Sequence, residues 1–307
     1  MTHVQGVLLS TQGANFTPNF NEANIAFTFA AGFLFQRLSI NEPFPSFLLR
    51  RSRNVLVPYF LISIPAILIY TVAGKTHPNV DLSQIPEWFL PAYLLLTGLQ
   101  MGPLWFIPMI FIVYLFTPVI RYVDKAGWYY ALAIPLTFAL ALTLFPRPEF
   151  SAFPPQAAVH YLPIFLIGMV CSHFNNVMSA WSRKLWVWGP ALVLFIGLTY
   201  LSARWSSEAQ FPTKTFMLVC MFIVTSRAET IRFKVIDILA SSSFGIFFLH
   251  GYIVAALRVL ENRGLFVFRG SGLNLILFTA LVCLGCIGVI WVTKWLFGHR
   301  SRYLVGA

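Results

Sequence analysis

The chain has 307 residues, of which 58% are hydrophobic and only 10% charged, with Lys+Arg 21 against Asp+Glu 10 and a formal net charge of +11. Mean hydropathy is +0.75, whereas a soluble domain carries nearer ~25% charged residues, so the composition excludes a soluble globule, a disordered chain and a disulfide scaffold. It also argues against an outer-membrane barrel, whose alternating strands and polar lumen keep mean hydropathy low.

The opening stretch, Met1 to Ser10, has no basic segment and only a short apolar one, so no cleavable signal peptide is expected. Apolar runs bounded by Pro, Gly and charge then follow at about 22–36, 54–73, 103–121, 126–145, 156–174, 185–203, 211–226, 237–258 and 272–297. The segment Glu87–Gln100 is apolar too. With Pro91 inside it and the next run so close, it reads as a re-entrant or interfacial piece leading into Gly102-Pro103. The expected fold class is all-α: a polytopic integral membrane helical bundle of about nine full transmembrane helices. With no internal repeat and no polar stretch long enough to fold alone, residues 1–307 form a single membrane domain.

Charge then gives an orientation. With Arg50, Arg51 and Arg53 in the cytoplasm and the runs alternating from there, roughly two-thirds of the 21 Lys and Arg fall on the cytoplasmic side. That side includes Arg121, Lys125, Arg300 and Arg302, while Lys75, Arg147 and Arg258 lie opposite. The C-terminus is expected in the cytoplasm. The positive charge thus reads as loops against anionic headgroups and not as a nucleic-acid surface.

Ionisable groups inside apolar runs are costly and become functional candidates. His250 is the clearest, more than a turn inside its run in Ser243-Phe244-Gly245-Ile246-Phe247-Phe248-Leu249-His250. It is either a structural histidine bonded to a carbonyl or a working one. His3 is either an exposed terminus or the start of a functional helix. His160 and His173 lie near the two ends of one run and read as interfacial. Arg50-Arg51-Ser52-Arg53 serves either as an anchor or as a phosphate clamp, because guanidinium binds phosphate in bidentate fashion. Trp105, in Gly102-Pro103-Leu104-Trp105-Phe106-Ile107-Pro108, marks a helix entry or a substrate path. Glu22 follows the polar run Thr11–Asn21 and could face a pocket; Asp237 is placed to favour its helix N-terminus. Cys283-x-x-Cys286 sits mid-run and reads as packing, and no metal-ligand set is expected. No P-loop, HExxH, GxSxG or carboxylate pair is present in the runs.

At these residues the chain resembles acyltransferase family 3, integral membrane enzymes of about ten helices that mostly O-acetylate sugars and other acceptors. Four segments carry the resemblance, in the family's order. Phe29-Ala30-Ala31-Gly32-Phe33-Leu34-Phe35 is similar to the family's second-helix motif, with Ala31 where Ser is usual. Phe47 to Tyr59 resembles the basic loop with its Arg-x-x-Arg, Leu104-Trp105-Phe106 the Leu-Trp-Phe helix start, and Ser243 to His250 the late Ser-x-x-Ile-Tyr-Leu-x-His helix. The family's first helix carries an Arg well before a His. Here His3 stands at the histidine position, and the arginine and the half-helix before it are missing. A partial first helix is therefore expected, from a late start codon or from a truncated, inactive member.

The resemblance implies acyl-CoA, most often acetyl-CoA, as donor substrate, with no bound cofactor. It implies His3 as general base, His250 orienting the acceptor or relaying the acyl group, and Arg50, Arg51 and Arg53 on the CoA phosphates. Trp105 and Glu22 would meet substrate. The acceptor would be a hydroxyl of a sugar, lipid-linked glycan or envelope polysaccharide precursor at a bacterial inner membrane, with lipid and no nucleic acid as further partners. The alternatives are a multi-pass transporter or flippase of an envelope precursor and an inactive member within an envelope assembly.

Overall fold

The computed structural model describes residues 24–77, 80–148, 153–202, 207–227, 234–264 and 272–306, and every regular element among them is helical. In chain order these are α1 (Asn24–Ser39), α2 (Phe44–Arg51), which runs through a π-helical turn at Ser52–Leu56 into α3 (Val57–Thr71), then α4 (Leu90–Thr97), α5 (Phe106–Leu115) and α6 (Thr117–Asp124). They continue with α7 (Tyr129–Thr143), α8 (Pro154–His173), α9 (Asn175–Ser182), α10 (Leu185–Ser202), α11 (Ser207–Ser226), α12 (Lys234–Asn262), α13 (Gly272–Phe297) and α14 (Ser301–Val305).

Every apolar run of the sequence becomes a helix, but nine full spans are not confirmed. Among the described residues four helices are long and apolar enough to cross a membrane: Phe44–Thr71, Pro154–His173, Lys234–Asn262 and Ile276–Phe297. The α5–α6 pair, bent by 62°, gives a fifth if it is one span. The helices at Ile25–Ser39, Tyr129–Thr143 and Leu185–Tyr200 are apolar but shorter. At ~1.5 Å per residue, a fifteen-residue helix reaches only ~22 Å against a hydrocarbon core of ~30 Å. An apolar run overcounts because hydropathy ignores where the backbone stops being helical. The run at 103–121 breaks at Phe116, just before Pro118, and the run at 126–145 is helical only from Tyr129, beyond Gly127. The expected partial first helix lies outside the described residues.

The Glu87–Gln100 segment holds α4, eight residues long and too short to span. It ends at Gly98, whose φ of 75° is open to glycine at little cost. An added Cβ there would also collide with the backbone of Trp105, so the chain can double back toward α5 only with glycine at this point.

The core lies around α8. α1 packs along it so closely that a Cβ on Gly32 would strike the Phe165 carbonyl, and one on Gly168 would strike the Phe29 carbonyl. Small residues are what allow membrane helices to approach this closely. Phe35, Phe47, Tyr114 and Phe165 interlock beside this seam. A satellite cluster joins Val254 of α12 to Phe278, Val282 and Cys286 of α13, so Cys286 is a packing residue, as the sequence indicates. The outside is apolar as well: Leu68, Val72, Leu281, Leu284, Trp291 and Trp295 all face outward. Such a surface suits lipid, where no hydrophobic penalty attaches to it.

Candidate functional site

Arg50, Arg51 and Arg53 of the basic motif follow closely on one helical run and turn in different directions. Arg50 pairs with Glu42 and donates to Ser39 Oγ at 2.9 Å. Arg51 points inward, its guanidinium 5.5 Å from the centroids of both Phe47 and Tyr114. Arg53 lies 4.7 Å over the ring of Tyr303, on α14. Arg121 of α6 closes the corner, donating to the carbonyls of Glu42 at 2.6 Å and Ser39 at 3.0 Å. A π-helical turn carries this motif, a device that often marks functional segments because it re-aims side chains.

Arg51 opens onto a cavity of about 350 Å³. Arg302, Asn54 and Ser243 supply its other polar groups, and Phe27, Phe106, Ile110, Tyr114 and Phe244 its apolar walls. Arg51 Nε is buried without a hydrogen-bond partner among the described residues. A buried guanidinium N–H left this way is costly, and an anion would satisfy it. Two arginines over apolar and aromatic walls suit a phosphate joined to a less polar group.

A second cavity, about 450 Å³, lies toward the other end of the same helices. Lys75, His77, Gln100, Tyr252 and Arg258 line it together with Ala66, Met101, Pro103 and Val254. The two cavities share α12 and the continuous helix Phe44–Thr71 as walls. The step from Phe244 to Tyr252 along α12 is ~12 Å. Phe247 of α12 packs with Phe27 and Phe106 of the first cavity's wall in an aromatic cluster with centroid separations of 5.4 to 6.1 Å. Tyr252 also ties α12 to α3 by donating its OH to the Ile62 carbonyl.

His250 sits on α12 between the two sets of lining residues. It is half-buried, 6.1 Å from the Phe247 ring, with Nδ1 3.0 Å from the Ile246 carbonyl. Trp105 is buried and packs on Tyr161 at 5.7 Å, backing Phe106 without lining either cavity. His3 and Glu22 lie outside the described residues. His160 is buried, with Nδ1 3.2 Å from the Phe145 carbonyl and its ring 4.2 Å from Phe211. His173 is at a helix end as expected, but it is held. Its Nδ1 lies 2.8 Å from Asp124 Oδ1, which also accepts from Tyr130 OH at 2.8 Å and Gln36 Nε2 at 2.9 Å.

In the loop after α3, burial and the neighbouring Lys75 hold the His77 imidazole below its usual pKa, so it is neutral at pH 7. Further along the chain, hydrogen bonds from the Ser83 side chain and backbone lower the Asp81 carboxyl.

The acyltransferase 3 family model, described as an acyltransferase domain, matches residues 15–295. The chain belongs to this family. No curated protein and no solved structure matches it. Family membership and the long apolar helices together make it an integral membrane protein of an acyltransferase family. Within that family frame Gly32 of the second-helix motif is a packing glycine on α8, and the motif at Arg50–Arg53 spreads over three directions. Sequence motifs point to Arg51 and His250 but not to Asn54, Arg302, Lys75, Gln100 or Arg258. Gln100 carries one readable signal: an uncharged amide in an otherwise apolar stretch just before Gly102-Pro103.

Proposed function

We propose that this protein transfers an acyl group, in the first instance acetyl, from acyl-CoA to a hydroxyl of a sugar or envelope polysaccharide precursor at the bacterial inner membrane. The observation that carries the reading is the pair of cavities on shared helices. One is lined by Arg51 and Arg302, the other by polar and basic groups, and His250 stands on α12 between them. Such a layout suits a donor with phosphates at one end and an acceptor at the other.

In this scheme the arginine end faces the cytoplasm, where acyl-CoA is found. Arg51 and Arg302 hold CoA phosphates, with Arg53 beside them, stacked on Tyr303 of the last helix. Arg50, already paired with Glu42, shapes the corner. The acyl thioester reaches toward the Phe27–Phe106–Phe247 aromatic cluster. The acceptor oxygen attacks the thioester carbonyl and gives its proton to a neutral imidazole. The C–S bond breaks, and CoA leaves as the thiol with a proton returned from the imidazolium. The bases are His3, by family analogy, and His250, which orients the acceptor or relays the acyl group. Trp105 stiffens the wall behind Phe106. Glu22 meets the acceptor side.

The test is transfer of label from acetyl-CoA in membranes holding the intact chain. Covalently bound label in a glycan supports the reading, and uptake of label without covalent product supports a transporter. Unchanged transfer in both His3→Ala and Arg53→Ala would remove the assigned roles.

A further inference from the structure

We infer that α14 is a clamp on the arginine-lined cavity, and that Tyr303 is its positioning residue: its ring holds Arg53 while its neighbour Arg302 stands in the cavity wall. The inference rests on the acyl-CoA reading and adds the element that sets donor affinity. The family model's match ends at residue 295, so the family frame does not account for α14. Yet α14 packs on α3, on the π-helical turn Ser52–Leu56, on α12 and on α13.

Helical spacing divides six positions among three tasks. Ser301 and Val305, four residues apart on one face, are 3% and 8% exposed and fix α14 to the body of the protein. Arg302 and Gly306, also four apart, both line the cavity. Tyr303 turns toward the π-helical turn, and the Arg53 guanidinium lies 4.7 Å over its ring. An aromatic face attracts a cation set over it, so the ring favours this position of Arg53 over its other rotamers. Gly306 sets how closely the clamp seats. Its φ is 76°, and an added Cβ would lie 2.8 Å from the Phe244 ring and 3.0 Å from the Phe248 ring. Phe248 is fully buried and Phe244 is itself a cavity wall, so a larger residue at 306 displaces α14 and carries Arg302 with it. A helix serving packing alone needs only its buried face. Here the other two faces reach Arg53 and the cavity.

The test uses the intact protein in lipid nanodiscs and two readouts. The first is the rate at which phenylglyoxal modifies Arg53, followed by peptide mass spectrometry, with the exposed Arg37 as internal reference. The second is the Kd of CoA by titration calorimetry. Tyr303→Ala should speed Arg53 modification about two- to fivefold and weaken CoA by a similar factor, the worth of an exposed cation–π contact. Tyr303→Phe keeps the ring face and should match the wild type in both readouts. A role in packing alone would move neither readout with the ring face. Gly306→Ala should weaken CoA about tenfold, because Arg302 moves with the helix. An Arg53 rate that Tyr303→Ala leaves unmoved, a CoA affinity that either alanine variant leaves unmoved, or a Tyr303→Phe protein that behaves as Tyr303→Ala would overturn the inference. A wild type that binds no CoA would instead remove the acyl-CoA reading, and the Arg53 rates alone would then decide the clamp.

Discussion

Arg51 and Arg302 line the same cavity, the first from the end of α2 and the second from the last helix of the chain. Arg50, next to Arg51, is instead paired with Glu42. Neighbours in sequence are thus divided between a cavity and a surface ion pair, and this division separates their expected phenotypes. Arg51→Gln should raise the KM for acyl-CoA about 10- to 100-fold, the worth of a charge-assisted hydrogen bond. Arg50→Gln should leave KM near wild type and cost under ~1 kcal/mol of stability, because its ion pair is partly exposed. Steady-state kinetics on both variants decide this, and equal KM effects would contradict it.

The α1–α8 seam gives a prediction about stability. Gly32→Ala and Gly168→Ala each place a methyl group against a carbonyl of the opposing helix. Neither backbone can yield without separating the helices, so each should cost roughly 1–3 kcal/mol. Thermal unfolding in detergent measures it. Gly189→Ala, where an added Cβ meets nothing, is the control and should unfold as the wild type does.

Much of this was legible from composition and pattern. Fifty-eight per cent hydrophobic residues required a membrane bundle, and each apolar run did become a helix. The number of spans was not legible, because hydropathy cannot see the break at Phe116 or the late start of α7 at Tyr129. At the site, the basic motif reaches the arginine-lined cavity through Arg51. It could not reveal which arginine turns inward, since that depends on helix phase and on the aromatic rings of Phe47 and Tyr114. Arg302 and Lys75 were invisible for a different reason, and Gln100 showed only as an amide in an apolar stretch. Each becomes part of a cavity only when distant helices meet.

His250 separates chemistry from binding. His250→Gln keeps a polar group of similar reach near the Ile246 carbonyl but removes the imidazole. It should lower kcat by about 10²- to 10⁴-fold, the usual worth of general acid–base catalysis. The KM for acyl-CoA should stay within about threefold, since a group acting only in the transition state leaves ground-state binding alone. A raised KM with unchanged kcat would make it a binding residue.

His77 gives a pH prediction. Burial first, and the charge of Lys75 second, disfavour its imidazolium, so its pKa lies below the usual histidine value. Its reaction with diethyl pyrocarbonate, which requires the neutral ring, should therefore persist to lower pH than that of an unperturbed histidine. Lys75→Gln removes a like charge and should shift the midpoint upward. An unchanged midpoint would show that Lys75 does not act on it.

The central claim is that the arginine-lined cavity delivers an acyl group from acyl-CoA to a covalent product. It is tested most directly by following labelled acetyl-CoA in proteoliposomes that hold the intact chain or Arg51→Gln and are supplied with a mixed envelope-glycan fraction. The account predicts label in covalent ester linkage for the wild type and a rate reduced about 10- to 100-fold for the variant at low donor concentration. Label that never becomes covalent, or equal rates in the two proteins, would contradict it.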